Sequence, residues 1–194
     1  MVNPHVVLMS GSLRSGSTSD RVAAWCADRC GEKGATTRMF RGGELDLPFY
    51  RPGISADHEG AVTLLYELSK ADAVVLVSPT YHGTLSGLLK NALDFVNDLV
   101  DPPFLDGRAI GSVAIGAGTQ GVASTLATLR TISHALRGWP TPLGVTLSNA
   151  ESLFQPTSAG TERIRSQLTE MISQLLTIGE LRARMIDASV EAVV

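Results

Sequence analysis

The sequence predicts an α/β fold, a doubly wound five-stranded parallel sheet of order 2-1-3-4-5 with helices on both faces. Three observations carry this: strand and helix signals alternate strictly, the run Ala73 to Val77 is continuously apolar as in a central strand covered on both faces, and the loops are short. The first strand is placed at about 4 to 10, through the apolar run His5 to Met9, and a helix follows at 19 to 31. A strand at 35 to 40 and a helix at 57 to 70 flank Arg41 to Gly53, a Gly/Pro-rich stretch too polar and broken to be an element, read as a surface excursion. The third strand, 72 to 78, contains AVVLV (Ala73 to Val77), with Pro79 expected to stop it and Gly83 to free the turn. Leu85, Leu88, Leu89, Ala92, Leu93 and Val96 then recur at helical spacing, predicting a helix over 84 to 99. A strand at 109 to 116, a helix at 121 to 137, a strand at 142 to 147 and a helix at 159 to 186 complete five βα units. In the last helix Arg163, Arg165, Glu170 and Glu180 alternate with apolar positions, which reads as packing and solubility, and its final residues are expected to fray.

At 194 residues and 44% hydrophobic, the chain is long enough for a substantial core and is expected to form one domain over 1–194. A net charge of -3 and no Lys/Arg cluster exclude a nucleic-acid partner. No apolar run approaches the ~18 residues that span a bilayer, and the first residues lack a signal-peptide pattern, so a cytoplasmic protein with no membrane partner is expected. Cys26 and Cys30 lie four apart without His neighbours and read as reduced core thiols; His5, His58 and His134 show no ligand spacing, so no metal is expected.

Two loops carry chemistry. Ser10 to Asp20 (SGSLRSGSTSD) follows the first strand, and its small hydroxyls Ser10, Ser12, Ser15, Ser17, Thr18 and Ser19, with Gly11, Gly16 and Arg14, run into a helix whose positive end favours phosphate. Ser78 to Phe95 (SPTYHGTLSGLLKNALDF) joins the third strand to its helix and sets Tyr81 and His82 at the carboxyl end of that strand. In the flavodoxin-like strand order the switch point lies between the first and third strands, so both loops border one crevice.

Together GSLRSGSTS and SPTYHGTLSGLLKNALDF resemble the NADPH-dependent FMN reductase family, with its GSxRxxS phosphate loop and its P-x-Y-x-G-S/T-x-x-G-x-L-K-N-x-L-D block, over about three quarters of the chain. The resemblance implies FMN as cofactor and NADPH or NADH as donor. Ser12, Arg14, Ser17 and Ser19, with Ser10 and Thr18 in the same loop, would bind the FMN phosphate; Ser19 stands where the family often has Asn. Pro79, Thr80, Tyr81, His82 and Gly83 would line the isoalloxazine, His82 through its backbone N–H, and Thr80 occupies a position where many members have Glu. Gly116, Gly118 and Gln120, in the segment Gly116 to Gly121 (GAGTQG), match the family's glycine-rich fourth loop, with Ala117 where a second glycine is common.

Rival motifs fall short. GSLRSGST differs from a triphosphate P-loop by Ser17 in place of the lysine that balances the outer phosphates. GAGTQG has the glycines of a dinucleotide turn, yet no Asp or Glu occurs between Gly116 and Glu151 to hold a ribose. His82 has no neighbouring nucleophile or orienting carboxylate in sequence, no catalytic residue is assigned, and no motif for the adenylate of FAD is present.

The flavin carries the electrons, so the protein has to orient two rings rather than supply acid or base. An enzyme delivering electrons to a small-molecule acceptor is expected: a flavin reductase, with a monooxygenase as partner, ahead of a quinone, azo or metal-oxyanion reductase. A flavodoxin-like electron carrier is the alternative from another class. The resemblance further implies a homodimer or homotetramer, with the LPFY segment (Leu47 to Tyr50) at subunit contacts and the helix after Tyr81 as interface, where Leu85, Leu88 and Leu99 face outward. Lys90 and Asp94, four apart, form an ion pair within that helix or across the interface.

Overall fold

The computed structural model describes residues 3–148 and 159–191. Strand β1 (His5–Ser10) is followed by helix α1 (Thr18–Glu32), β2 (Thr36–Phe40), α2 (Glu59–Lys70), β3 (Ala73–Tyr81), β4 (Thr84–Leu85), α3 (Gly87–Asp94), β5 (Ala109–Gly116), α4 (Thr119–Ala135), β6 (Trp139–Pro140), β7 (Val145–Ser148) and α5 (Ala159–Glu191). The central order is β2-β1-β3-β5, with β6 and β7 both paired parallel to β5. This is the expected 2-1-3-4-5 order, with the fifth position, expected as one strand over 142–147, divided between two short strands.

Side-chain alternation along the strands builds two cores. Val6, Leu8, Val75, Val77, Val113 and Ile115 pack with Val22, Ala23 and Cys26 of α1 and Leu168, Met171, Ile172 and Leu175 of α5. Val7, Met9, Val74, Leu76 and Ile110 face the other way, against Leu64 and Leu68 of α2, Leu89 and Leu93 of α3 and Leu129 of α4. Each such fully buried aliphatic side chain contributes roughly 1.5–3 kcal/mol. Cys26 and Cys30 belong to the first core, where burial pushes the Cys26 thiol far up and the Cys30 thiol up to about 12.

Among the described residues Arg108 is the largest of the side chains buried in the framework. Arg108 is fully covered, and its Nε donates to the Leu68 carbonyl at 3.1 Å, Nη2 to Ser69 at 2.7 Å and Nη1 to Asp106 at 3.2 Å. It thereby caps the carboxyl end of α2, and desolvation lowers its pKa to about 10, leaving it charged at neutral pH.

Two expectations about the middle of the chain are corrected. Pro79 does not stop β3: the strand runs on to Tyr81, with Pro79 in register with Ile115 of β5. Nor does a helix span 84 to 99. Thr84 and Leu85 turn back as β4, Ser86 caps α3 by accepting from Leu89 N–H at 3.2 Å, and Phe95–Asp98 tightens into a 3₁₀ turn. The Arg41–Gly53 excursion is irregular apart from a 3₁₀ turn at Gly42–Glu44, and a second turn at Ile54–Asp57 precedes α2. The last helix, expected to end at 186, runs on to Glu191. No described helix is long and apolar enough to cross a membrane.

Candidate functional site

Three loops meet at the carboxyl ends of β1, β3 and β5, because Ser10 is in register with Val77 and Pro79 with Ile115. The first leaves the sheet at Gly11, whose N–H donates to the Val77 carbonyl at 2.9 Å. A Cβ here would lie 2.8 Å from Ser86 Oγ and 2.9 Å from Leu89 Cβ, so only glycine lets the loop pass this close to α3. Gly16 then turns the chain with φ +66 into α1, where Ser17 Oγ caps the helix by accepting from Asp20 N–H at 3.1 Å.

Hydrogen-bond accounting sorts the hydroxyls of this loop. Ser10 Oγ donates to Asp20 Oδ1 at 2.6 Å and is committed there. Ser17 Oγ accepts from Asp20, and Thr18 Oγ1 accepts from Arg21 Nη2 at 3.0 Å, so each keeps its own hydrogen to donate outward. Ser12 and Ser19 are buried, and their hydroxyls have no partner among the described residues. Arg14 is exposed and makes no ion pair among them. Hydroxyl hydrogens, the free N–H groups of the first turn of α1 and an unpaired guanidinium suit a ligand that only accepts, an anion.

The second loop is a hairpin. Thr80 pairs with Leu85 and Tyr81 with Thr84, leaving His82 (φ 51) and Gly83 (φ 83) as a two-residue turn of the I′ kind, in which both central residues are left-handed. His82 holds that conformation without being glycine, and with Tyr81, 53% exposed, it forms an aromatic tip at the crevice. The third loop follows β5. Gly118 caps α4 with open space around it, and Thr119 and Gln120 are exposed in the first helical turn. Thr80 joins the second loop to the third: a Cβ on Gly116 would lie 3.0 Å from Thr80 Cβ, and one on Gly121 would lie 3.2 Å from Thr80 Cγ2. Beneath this contact Thr80 Oγ1 is buried without a hydrogen-bond partner.

Three supporting residues escaped the sequence reading. Asp20 and Arg21 hold the first loop from both sides, since Gly16 N–H donates to Asp20 Oδ2 at 3.1 Å and Arg21 Nη1 donates to the Gly16 carbonyl at 2.7 Å. The S-x-x-D spacing from Ser17 to Asp20 was the available signal. Gly42 presses on the same loop, where a Cβ would collide with the Ser12 carbonyl. The excursion is fastened further on by Asn91, whose side chain donates to the Leu47 and Pro48 carbonyls and accepts from Tyr50 N–H. Tyr50 donates its hydroxyl to Asp98 at 2.8 Å, and burial followed by that bond raises its pKa. Phe49 is left 86% exposed. Leu85, expected to face outward, is instead buried, and Leu88 and Leu99 are half-buried against the second core. Lys90 pairs with Asp94 within α3 at 2.6 Å. No described cluster of His, Cys, Asp or Glu could hold a metal.

Residues 4–152, which take in all three loops, match the model of the NADPH-dependent FMN reductase family. The chain belongs to that family. Among curated relatives of this FMN reductase family member, the FMN-dependent NADPH-azoreductase of Staphylococcus aureus (strain USA300) is 29% identical over 110 residues, 56% of this chain and 55% of that protein. The chain thus spans about half the length of the curated relatives it matches. Among solved structures, FerB, a flavoenzyme NAD(P)H:(acceptor) oxidoreductase from Paracoccus denitrificans, superposes with a TM-score of 0.64 at 22% identity, covering 92% of this chain and 98% of that one. A flavodoxin of Streptococcus pneumoniae TIGR4 gives 0.57 at 16% identity, with 89% and 97% covered. At such identities these two likenesses show the fold, which is flavodoxin-like.

Proposed function

We propose that this member of the family is an FMN-dependent NAD(P)H oxidoreductase that passes electrons from a nicotinamide nucleotide to a small acceptor, free flavin first, in service of a monooxygenase. The observation that carries the reading is the loop whose Ser12, Ser17 and Thr18 hydroxyl hydrogens and Arg14 guanidinium are free to donate, opening beside an aromatic hairpin tip and a glycine-rich turn. The residues present fit FMN. Its phosphate needs donors and positive charge, which the first loop supplies. A flat ring needs open, small-residue walls, which Gly83 and Gly118 supply, with Tyr81 and His82 at the rim.

When bound, FMN supplies a two-electron centre that a nicotinamide can reduce and an acceptor can reoxidise. The chain's own residues bind and orient. Ser12, Ser17 and Thr18 hydroxyls donate to phosphate oxygens, and Arg14 balances the charge. Pro79 to Gly83 border the ring, with the His82 N–H free at the turn, while Gly116, Gly118 and Gln120 leave room at the opposite wall. No proton has to be moved by a side chain.

The azoreductase relative favours a second acceptor class, azo compounds or quinones. Action in the cytoplasm as a homodimer or homotetramer completes the proposal, with exposed Phe49 beside α3 as the contact. An anaerobic titration of the protein with FMN and then NADPH or NADH tests it. Bleaching of the flavin band that needs the protein is expected, followed by faster turnover with free flavin than with azo dye or quinone. FMN binding without bleaching by either nucleotide would make the chain a carrier instead.

A further inference from the structure

We infer that Asp20 is a positioning residue that pre-forms the phosphate loop and thereby sets the preference of the site for phosphorylated over unphosphorylated flavin. The inference rests on the FMN reading above and adds a residue that the site assignment lacked.

Asp20 is 3% exposed, and its two carboxylate oxygens are each used inside the loop. Oδ1 accepts from Ser10 Oγ at 2.6 Å and Oδ2 from Gly16 N–H at 3.1 Å. Ser10 ends β1, and Gly16 is the left-handed residue just before α1, so one side chain ties the two ends of the loop together. Its own N–H reaches Ser17 Oγ, which turns the remaining hydrogen of Ser17 outward. Arg21 holds the Gly16 carbonyl from the other side. The donors of Ser12, Ser17 and Thr18 are therefore in place before any ligand arrives.

A buried carboxylate beside an anion site also repels the anion, so two effects of opposite sign compete. Repulsion is tempered because both carboxylate oxygens of Asp20 already accept hydrogen bonds, from Ser10 Oγ and Gly16 N–H, which draw its charge towards the inside of the loop. Loss of the brace would leave a segment between Gly11 and Ser17 to be ordered at each binding event, and ordering costs accumulate residue by residue. The brace wins. Asp20→Asn is the informative change: it keeps the backbone cap on Ser17 but offers one acceptor oxygen where two donors converge, and points an N–H at one of them.

The test titrates FMN and riboflavin separately, by quenching of flavin fluorescence, into wild type, Asp20→Asn and the milder Ser10→Ala. Amide hydrogen exchange is followed on the ligand-free proteins. Expected are a fall of at least about tenfold in FMN affinity for Asp20→Asn with riboflavin affinity within about threefold of wild type, a smaller shift the same way for Ser10→Ala, and a Gly16 amide protected in wild type and exposed in Asp20→Asn. An equal loss for both flavins, an unchanged or improved FMN preference, or an unprotected Gly16 amide in wild type overturns the role of Asp20 and leaves the FMN reading standing. A wild type that binds FMN no better than riboflavin overturns the phosphate reading and this inference with it.

Discussion

Gly42→Ala tests the contact between the excursion and the phosphate loop. Gly42 is buried in its 3₁₀ turn, and an added Cβ would lie 2.8 Å from Leu13 Cα and closer still to the Ser12 carbonyl. Comfortable contacts lie at about 3.5–4.0 Å and the Ser12 carbonyl is the limiting one, so turn and loop have to part by roughly 1.5 Å. Both sides are backbone, with no flexible side chain to yield, which puts the cost near the upper end of overpacking, about 3 kcal/mol. For a chain of this length that lowers Tm by about 6–12 °C. On the proposed FMN reading the same shift moves the Ser12 hydroxyl away from the phosphate, and one lost charge-assisted bond would weaken FMN about 10- to 100-fold. Gly43→Ala is the matched control, because nothing lies within 4 Å of its Cβ; it is expected to stay within about 0.5 kcal/mol of wild type. The assay is a thermal scan with an FMN titration on both variants. If Gly42→Ala melts within about 2 °C of Gly43→Ala, the packing of turn on loop is not as described and the reasoning fails.

Arg108→Met, which strips three backbone carbonyls of a buried cationic donor, is expected to cost about 3 kcal/mol in urea unfolding at unchanged m-value, and a loss under about 1 kcal/mol would reject its capping role. Thr80→Val removes a buried hydroxyl that has no partner, so the ligand-free protein should gain about 1 kcal/mol; a loss of stability would show the hydroxyl to be satisfied. The thiols give a pH dependence whose sign is fixed: Cys30 is raised from 9.0 to about 12 and Cys26 further, so above pH 9 the unfolded chain releases protons that the folded chain keeps. Stability should therefore fall as pH rises from 9 towards 12, by about 1.4 kcal/mol per pH unit for each thiol, with no such contribution below pH 9. Urea midpoints between pH 8 and 10.5 should be less steep in a Cys26→Ala/Cys30→Ala variant, and equal slopes would refute the assignment.

The sheet was legible where burial dictates sequence. AVVLV at Ala73–Val77 reads as a doubly covered strand because the run is short, continuously apolar and rich in β-branched valine. The region after it misled because two signals conflict with tertiary context. Pro79 lacks an N–H, yet β3 continues through it in register with Ile115, and only the neighbouring strand reveals that. Leu85 kept the helical spacing of Leu88, Leu89 and Leu93 while serving as the inward residue of a two-residue strand. Ser86, the N-cap of α3, was the local mark of where the helix begins. In the candidate site, the residue types proposed to meet a ligand stood out as small hydroxyls and glycines. Asp20, Arg21 and Gly42 did not, because their roles depend on what folds against them: a buried carboxylate, a carbonyl to hold and a backbone approached from another loop.

The division of the fifth sheet position has a bearing on how copies of the chain behave at high concentration. An open sheet invites further strands at its rims, and a long flat rim is a template for fibres. Here one rim is two residues, Trp139 and Pro140, followed by a gap before β7, and the proline has no donor to give an incoming strand. The opposite rim, β2, is five residues long and carries Arg38 bonded to Glu44. Among the described residues the divided rim offers an incoming strand no single continuous ladder, and at β2 the Arg38–Glu44 pair places charge on the edge, so both rims carry features that disfavour strand addition.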